Sequence, residues 1–204
     1  MLAELGIRRV RIVSRPNVEW YVERCWSNNI LVRAVVVDGY YCPADEYVVL
    51  NEANLEQPPM TPQRFAEELQ LHRRQYPNFV LIAGALGDNL ADGIDAADYL
   101  NQVRLAGGLT GYDGVAIHYP RTAARMAAFK KAAANRAIHV TEYFKQPREL
   151  SDYMAQVIYP HARTADLFCI NSGMRDGSWT EDMGLFNVDW SPRPLLRQWL
   201  SLVS

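Results

Sequence analysis

The chain has 204 residues, 49% of them hydrophobic, and a formal net charge of −2, enough apolar material for one sizeable core. That near-neutral balance offers no basic stripe to nucleic acid or to an anionic membrane surface, and no apolar run approaches the roughly 20 residues of a bilayer-spanning helix. Three cysteines cannot all pair within one chain and four histidines fall at no zinc-like spacing, so Cys25, Cys42 and Cys169 read as thiols of a reducing compartment, and neither a metal nor a cofactor is expected.

Met1 to Gly6 reads as the tail of a helix running into the first strand. Glu4 and Gly6 interrupt any signal-like apolar region, which predicts a cytoplasmic address, or a secreted one if the amino end has been trimmed. From there strand-like and helix-like segments alternate. Strands are expected at 9–14, 31–37, 47–51, 79–84, 114–118, 137–141 and 167–171, each rich in Val, Ile, Leu or Phe and bounded by polar residues or glycine. Their apolar character on both faces is that of parallel strands covered on two sides.

Helices are expected at 17–27, 61–75, 94–106, 121–134 and 147–164. Thr61-Pro62 opens the second as a capped first turn, with Phe65, Leu69 and His72 on one face, so His72 reads as an ordinary amphipathic-helix residue. Asp92-Gly-Ile-Asp95 opens the third and Gly107-Gly108 closes it. The stretch Asp38 to Glu46 is too short and proline-broken for a crossover helix, yet an extended chain at roughly 3.3 Å per residue reaches back to the start of the next strand. With no linker, repeat or low-complexity segment, residues 1–204 form a single α/β domain.

Two strand ends carry the chemistry. Tyr47-Val-Val-Leu-Asn-Glu52 and Ala137-Ile-His-Val-Thr-Glu142 are apolar runs that each deliver a carboxylate at the carboxyl end, where parallel α/β folds build their sites. Either glutamate alone reads as readily as a helix-start residue or a solvated loop charge. Placed alike on two separate strands, they suggest acid/base chemistry on a sugar bond.

Asn51-Glu52 after a fourth strand and Glu142 after a seventh resemble the clan A glycoside hydrolases, retaining enzymes built on a TIM barrel. The resemblance covers most of the chain through short motifs. It implies a compact (β/α)8-type barrel lacking its first strand and one crossover helix, with an open edge that a second copy of the chain could cover. It also implies Glu52 as general acid/base, Glu142 as nucleophile and Asn51 as the holder of the sugar 2-hydroxyl. Arg11 matches the arginine that contacts the nucleophile, although Arg9 or Arg15 could equally be the match. Ala53 stands where the family usually has proline.

Val115-Ala-Ile-His-Tyr-Pro120 resembles the sixth strand, with His118 orienting the site and Tyr119 bonding the nucleophile or packing a loop. Trp179, in Gly173-Met-Arg-Asp-Gly-Ser-Trp179, is the candidate sugar platform or else a packed loop residue. Gly184-Leu-Phe-Asn-Val-Asp-Trp-Ser-Pro-Arg-Pro194 resembles the closing segment of the clan. Asp38, Tyr40 and Asn89 fall at the rim. The implied function is hydrolysis of O-glycosidic bonds in a β-linked glycan or glycoside with retention, with carbohydrate as the partner. The alternative is a non-catalytic carbohydrate-binding protein derived from such a barrel. A barrel lyase or isomerase would show a phosphate site or a metal-ligand cluster, and the sequence has neither.

Overall fold

The computed structural model describes residues 7–36, 39–88, 95–118, 120–143, 152–167, 169–171, 184–186 and 196–197. Seven strands form one parallel sheet in chain order: β1 (Arg9–Ser14), β2 (Leu31–Val36), β3 (Glu46–Val49), β4 (Leu81–Gly87), β5 (Gly114–His118), β6 (Ala137–Tyr143) and β7 (Thr164–Leu167). Two short strands, β8 (Cys169–Asn171) and β9 (Gly184–Phe186), pair in parallel with each other. Among the described residues four α-helices lie between the strands: α1 (Glu19–Trp26), α2 (Pro62–Gln75), α3 (Ala96–Leu105) and α4 (Ala123–Ala133). None of the described helices is long and apolar enough to cross a membrane.

Local chemistry starts the helices where it should. Thr61, Asp95 and Thr122 each sit in extended geometry, and their side-chain oxygens accept the N–H of the residue three positions on. Each such cap contributes about 1 kcal/mol. At the far end of α3, Gly108 lies so close to α2 that a Cβ there would stand 2.7 Å from the Ala66 Cα, which is why no larger residue fits.

The middle of the sheet is buried on both faces, while β1 leaves Val13 exposed. Outside it, Phe65 and Leu69 of α2, Leu100 and Val103 of α3, and Met126 and Phe129 of α4 pack with Val49, Ala83, Val115, Ile117 and Val140. On the other face Val35, Val48, Ile82, Ala85 and Ala116 form a separate small cluster contributed by β2 to β5. This explains why the strands read as continuous apolar runs rather than alternating ones.

Arg33, fully buried on β2, shows that the sheet curls back on itself. Its guanidinium donates to Glu46 Oε2 on the neighbouring β3 (2.7 and 2.9 Å) and to Thr164 Oγ1 on β7 (3.1 Å), and it lies 2.9 Å from His139 Nδ1 on β6. Five interstrand steps of about 4.8 Å each would hold β2 and β7 about 24 Å apart in a flat sheet, beyond the reach of any side chain. One arginine spanning that gap requires the inward curl of a barrel wall. Among the described residues β1 pairs with β2 alone, so the barrel is incomplete beside β1.

Between β2 and β3 the described residues 39–45 contain no helix, and side chains do its work. Cys42 N–H donates to Ser14 Oγ (2.7 Å), and the Tyr47 hydroxyl donates to Cys42 O (3.1 Å) and accepts from Ala44 N–H (3.1 Å). Tyr41 lies over Tyr76 with ring centroids 4.0 Å apart and also meets Phe79, Tyr47 and His72, filling the place a crossover helix would occupy. His72 therefore does more than line an amphipathic face: its Nδ1 is 2.7 Å from the Tyr41 hydroxyl.

Several boundaries differ from the sequence reading, among them the seventh strand, expected at 167–171, whose place in the sheet is taken by Thr164–Leu167. The fourth strand runs to Gly87 rather than to 84, because the Asn54 side chain grips Gly87 as a surrogate neighbour, accepting from its N–H (3.0 Å) and donating to its carbonyl (2.8 Å). Of the expected helix over 147–164, residues 147–151 lie outside the described residues, 152–158 are helical with a π-helical turn at Met154–Ile158, and the last residue, Thr164, is instead the first of β7, drawn into the ladder opposite His139.

Candidate active site

The middle of β1, the turn after β3 and the carboxyl ends of β5 and β6 bring Arg11, Glu52, His118 and Glu142 together. Glu52 follows β3 by three residues, in a turn where both Leu50 (φ 62°) and Glu52 (φ 54°) adopt the left-handed conformation. For non-glycine residues that costs about 1–2 kcal/mol each. The turn is held by Glu52 N–H donating to Ala85 O (3.0 Å) and by Leu55 N–H donating to Glu52 O (2.7 Å). Such strain fixed by neighbours is what site residues commonly show.

Glu142 arrives by another route. The β5–β6 ladder pairs Ile117 with Val140 and then His118 with Glu142, leaving Thr141 unpaired as a bulge. Under strict alternation Glu142 would point opposite to Thr141 and His139. The extra residue turns it instead to the side of His118.

The His118 side chain is fully buried, Glu142 is nearly so, and Glu52 is 33% exposed at its side chain. His118 Nδ1 lies 2.8 Å from Glu52 Oε1, and Nε2 lies 3.8 Å from Glu142 Oε1. One oxygen of each carboxyl and a ring nitrogen all fall within 4.8 Å of one another. Arg11 Nη2 donates to Glu142 Oε1. Of the three candidate arginines, Arg11 thus lies at Glu142, Arg9 donates to Glu46 (3.2 Å), and Arg15 is exposed. Asn51 is half-buried, and its buried Oδ1 has no hydrogen-bond partner among the described residues. Ala53 is buried in the main core. Tyr40 is half-buried, and its hydroxyl donates to Glu19 Oε1 (2.9 Å) at the start of α1. Tyr119, Trp179, Asp38 and Asn89 lie outside the described residues.

Glu52, His118 and Glu142 are also a set whose donor atoms are close enough to share one metal ion. The fit is poor: the Arg11 guanidinium already occupies Glu142 and its charge opposes a cation, while Glu52 and His118 stand at direct hydrogen-bonding distance.

Two polar constellations escaped the sequence reading. Arg125, in the first turn of α4, donates to both Asp88, at the end of β4, and Asp95, the cap of α3. Its hydrogen bonds hold the Asp95 carboxyl down at about 2. A cation in a helix's first turn opposes the helix dipole, which was the available signal that Arg125 has a partner. The other is the buried group of Arg33, Glu46, His139 and Thr164, announced by an arginine inside the apolar run Leu31-Val-Arg-Ala-Val-Val36. Burial, with the charges of Arg33, Arg9 and Arg163, pushes the His139 imidazole down to about 3.

No protein-family model and no curated protein matches this chain. Among solved structures, it is similar to a psychrophilic glycoside hydrolase family 10 endo-β-1,4-xylanase at 12% identity and a TM-score of 0.56, covering 88% of this chain and 79% of the xylanase. It is similar to a family 10 endoxylanase from a sugarcane soil metagenome at 12% identity and a TM-score of 0.53, covering 90% and 80%. It is also similar to a family 5, subfamily 18 protein of Bifidobacterium longum subsp. longum, in complex with Manβ1-4GlcNAc, at 12% identity and a TM-score of 0.52, covering 98% and 70%. The fold is thus similar to the TIM barrels of these glycoside hydrolases, and among the described residues it is an incomplete one of seven parallel strands.

Proposed function

We propose that the protein is a retaining glycoside hydrolase acting on a β-linked glycan or glycoside, with Glu52 as general acid/base and Glu142 as nucleophile. The observation that carries this reading is the carboxyl pair: oxygens of Glu52 and Glu142 lie within 4.8 Å of each other. Retaining pairs stand about 5–5.5 Å apart, whereas inverting pairs leave about 6.5–9.5 Å for a water.

The two environments suit the two roles. Glu142 is buried and bonded to a guanidinium, which favours the carboxylate needed for attack. Glu52 is the more open of the two and faces an imidazole, where a proton can be held and passed on. In the first step a Glu142 oxygen bonds to the anomeric carbon, the glycosidic C–O bond breaks, and the Glu52 proton goes to the leaving oxygen. In the second, Glu52 takes a proton from water, the water oxygen bonds to the same carbon, and the ester to Glu142 breaks. Asn51 holds the 2-hydroxyl, while Tyr119 and Trp179 supply a hydrogen bond and an aromatic wall. The cycle needs no cofactor. A second copy covering the edge of β1 and a cytoplasmic address complete the reading.

The test is a panel of aryl β-glycosides and plant or microbial polysaccharides offered to the purified protein and to its Glu52→Gln and Glu142→Gln variants. Turnover by the parent and loss in both variants is expected. A glycan bound but never cut would replace this reading with that of a carbohydrate-binding protein.

A further inference from the structure

Asn54, two residues past Glu52, is buried and engages one residue of β4 with both ends of its side-chain amide. Its Oδ1 accepts from Gly87 N–H (3.0 Å) and its Nδ2 donates to Gly87 O (2.8 Å). We infer that Asn54 is a positioning residue for the acid/base carboxyl: by fastening the turn after β3 to Gly87, it fixes where Glu52 delivers and recovers its proton. The fastening stands on the geometry alone, and its catalytic consequence rests on the glycosidase reading.

The turn needs such a fastening. Ladder pairing between β3 and β4 stops at Val49 and Ala83, three residues before Glu52. Beyond it Leu50 and Glu52 both hold left-handed backbone that their side chains disfavour, so an unrestrained turn would relax away from it. Two grips on β4 oppose that relaxation. Glu52 N–H reaches Ala85 O (3.0 Å), and two residues further along each strand Asn54 takes both polar groups of Gly87 as a backbone neighbour would. A buried amide bonded at both ends is held in one geometry, because freeing either atom would leave it without water or partner. Leu55 closes the fit: its N–H donates to Glu52 O (2.7 Å), and a Cβ on Gly87 would stand 2.4 Å from its Cδ1. Gly87 also pairs with His118 in the β4–β5 ladder, so the glycine that Asn54 grips keeps Glu52 in register with the residue it contacts.

The kinetic test separates aim from stability. The ratio kcat/KM covers only the steps up to glycosylation, in which a basic leaving group needs the Glu52 proton and dinitrophenolate does not. Asn54→Ala removes both bonds to Gly87. Asn54→Asp keeps the side chain's size and its acceptor for Gly87 N–H, but sets a carboxylate oxygen against Gly87 O. Each variant is expected to lose about 10²-fold in kcat/KM on phenyl glycosides and to keep most of it on dinitrophenyl glycosides. On the latter, kcat should fall through slow release of the glycosyl-enzyme, and azide should restore it, because release by water needs Glu52 as base. A loss of folded protein would lower both substrates alike. Equal losses on both, or full activity on both, would therefore overturn the inference.

The fastening itself is read in the parent protein by nitrogen-15 NMR. The Asn54 side-chain amide protons, assigned through the bonds from their own backbone, should exchange with solvent at least about 10-fold more slowly than those of the exposed Asn78. Equal exchange rates would overturn the fastening. If the parent protein cleaves no glycoside at all, the glycosidase reading fails and the catalytic consequence falls with it, while the exchange rates still judge the fastening.

Discussion

Glu142 stands level with His118 only because Thr141 is left out of the β5–β6 ladder. The bulge is thus part of the site, and it makes a cost visible: Thr141 is fully buried, and its Oγ1 has no hydrogen-bond partner among the described residues. Thr141→Val keeps the branched shape and removes the unsatisfied hydroxyl. It is expected to stabilise the fold by about 1 kcal/mol, raising Tm by about 2–4 °C. A loss of stability in a thermal melt would show that the hydroxyl is bonded after all.

Deletion of Thr141 probes the same bulge in the opposite sense. With Thr141 gone Glu142 follows Val140 directly, and alternation along a continuous ladder keeps it on the inner face, opposite His118. The deletion variant should therefore keep both its far-ultraviolet α/β form and measurable activity. Loss of all turnover with the fold intact would mean that the bulge sets the aim of the carboxylate and not only its side of the sheet.

Arg33 is the strut of the curled sheet. Arg33→Met removes a fully buried cation that donates to Glu46 and Thr164, leaving a half-buried glutamate with Arg9 as its remaining cation. Breaking one side of such a pair costs about 3–5 kcal/mol, and urea denaturation is expected to show a loss of that order. The double variant Arg33→Met with Glu46→Gln should recover part of it, because the stranded charge is gone. No recovery would mean that the bonds to Thr164 and His139, rather than the ion pair, hold the wall.

His139 gives the fold a distinct acid response. Burial, then the positive charges of Arg33, Arg9 and Arg163, depress its imidazole from an ordinary 6.5 to about 3. Between those values the unfolded chain binds a proton that the folded one refuses, so stability is full above pH 6.5 and drains as pH falls toward 3. Asp95, lowered from 3.8 to about 2 chiefly by its Arg125 hydrogen bond, adds its own loss only below the ordinary aspartate range. Stability measured against pH should therefore start to fall near 6.5 in the parent and later in His139→Gln. Superimposable curves would assign the acid sensitivity to another group.

The order of strands and helices was legible because each parallel strand is an apolar run and the helices after 61, 95 and 122 begin at side chains that cap them. The two glutamates were legible for the same reason, standing where apolar runs stop. What joins them was not. The bulge at Thr141 depends on how β5 and β6 slide past one another, and no residue type announces a register. Likewise Arg33 reads as an oddity in its own strand, and its meaning lies on β6 and β7, more than a hundred residues away.

The roles of the two glutamates are separable by chemical rescue. Glu52→Ala lacks the proton donor and the base, yet keeps the nucleophile with Arg11 beside it. It should still be glycosylated by dinitrophenyl glycosides, whose leaving group needs no proton, and then stall as the glycosyl-enzyme. Azide needs no general base, so it should release that intermediate from the open face as a glycosyl azide with the substrate's own anomeric configuration. Glu142→Ala leaves a cavity beside Arg11, and azide entering there attacks the substrate directly to give the opposite anomer. The readout is the anomeric configuration of each azide product by proton NMR. Exchanged configurations would reverse the assignment, and an inverted product from the parent enzyme would replace double displacement with a single attack by water.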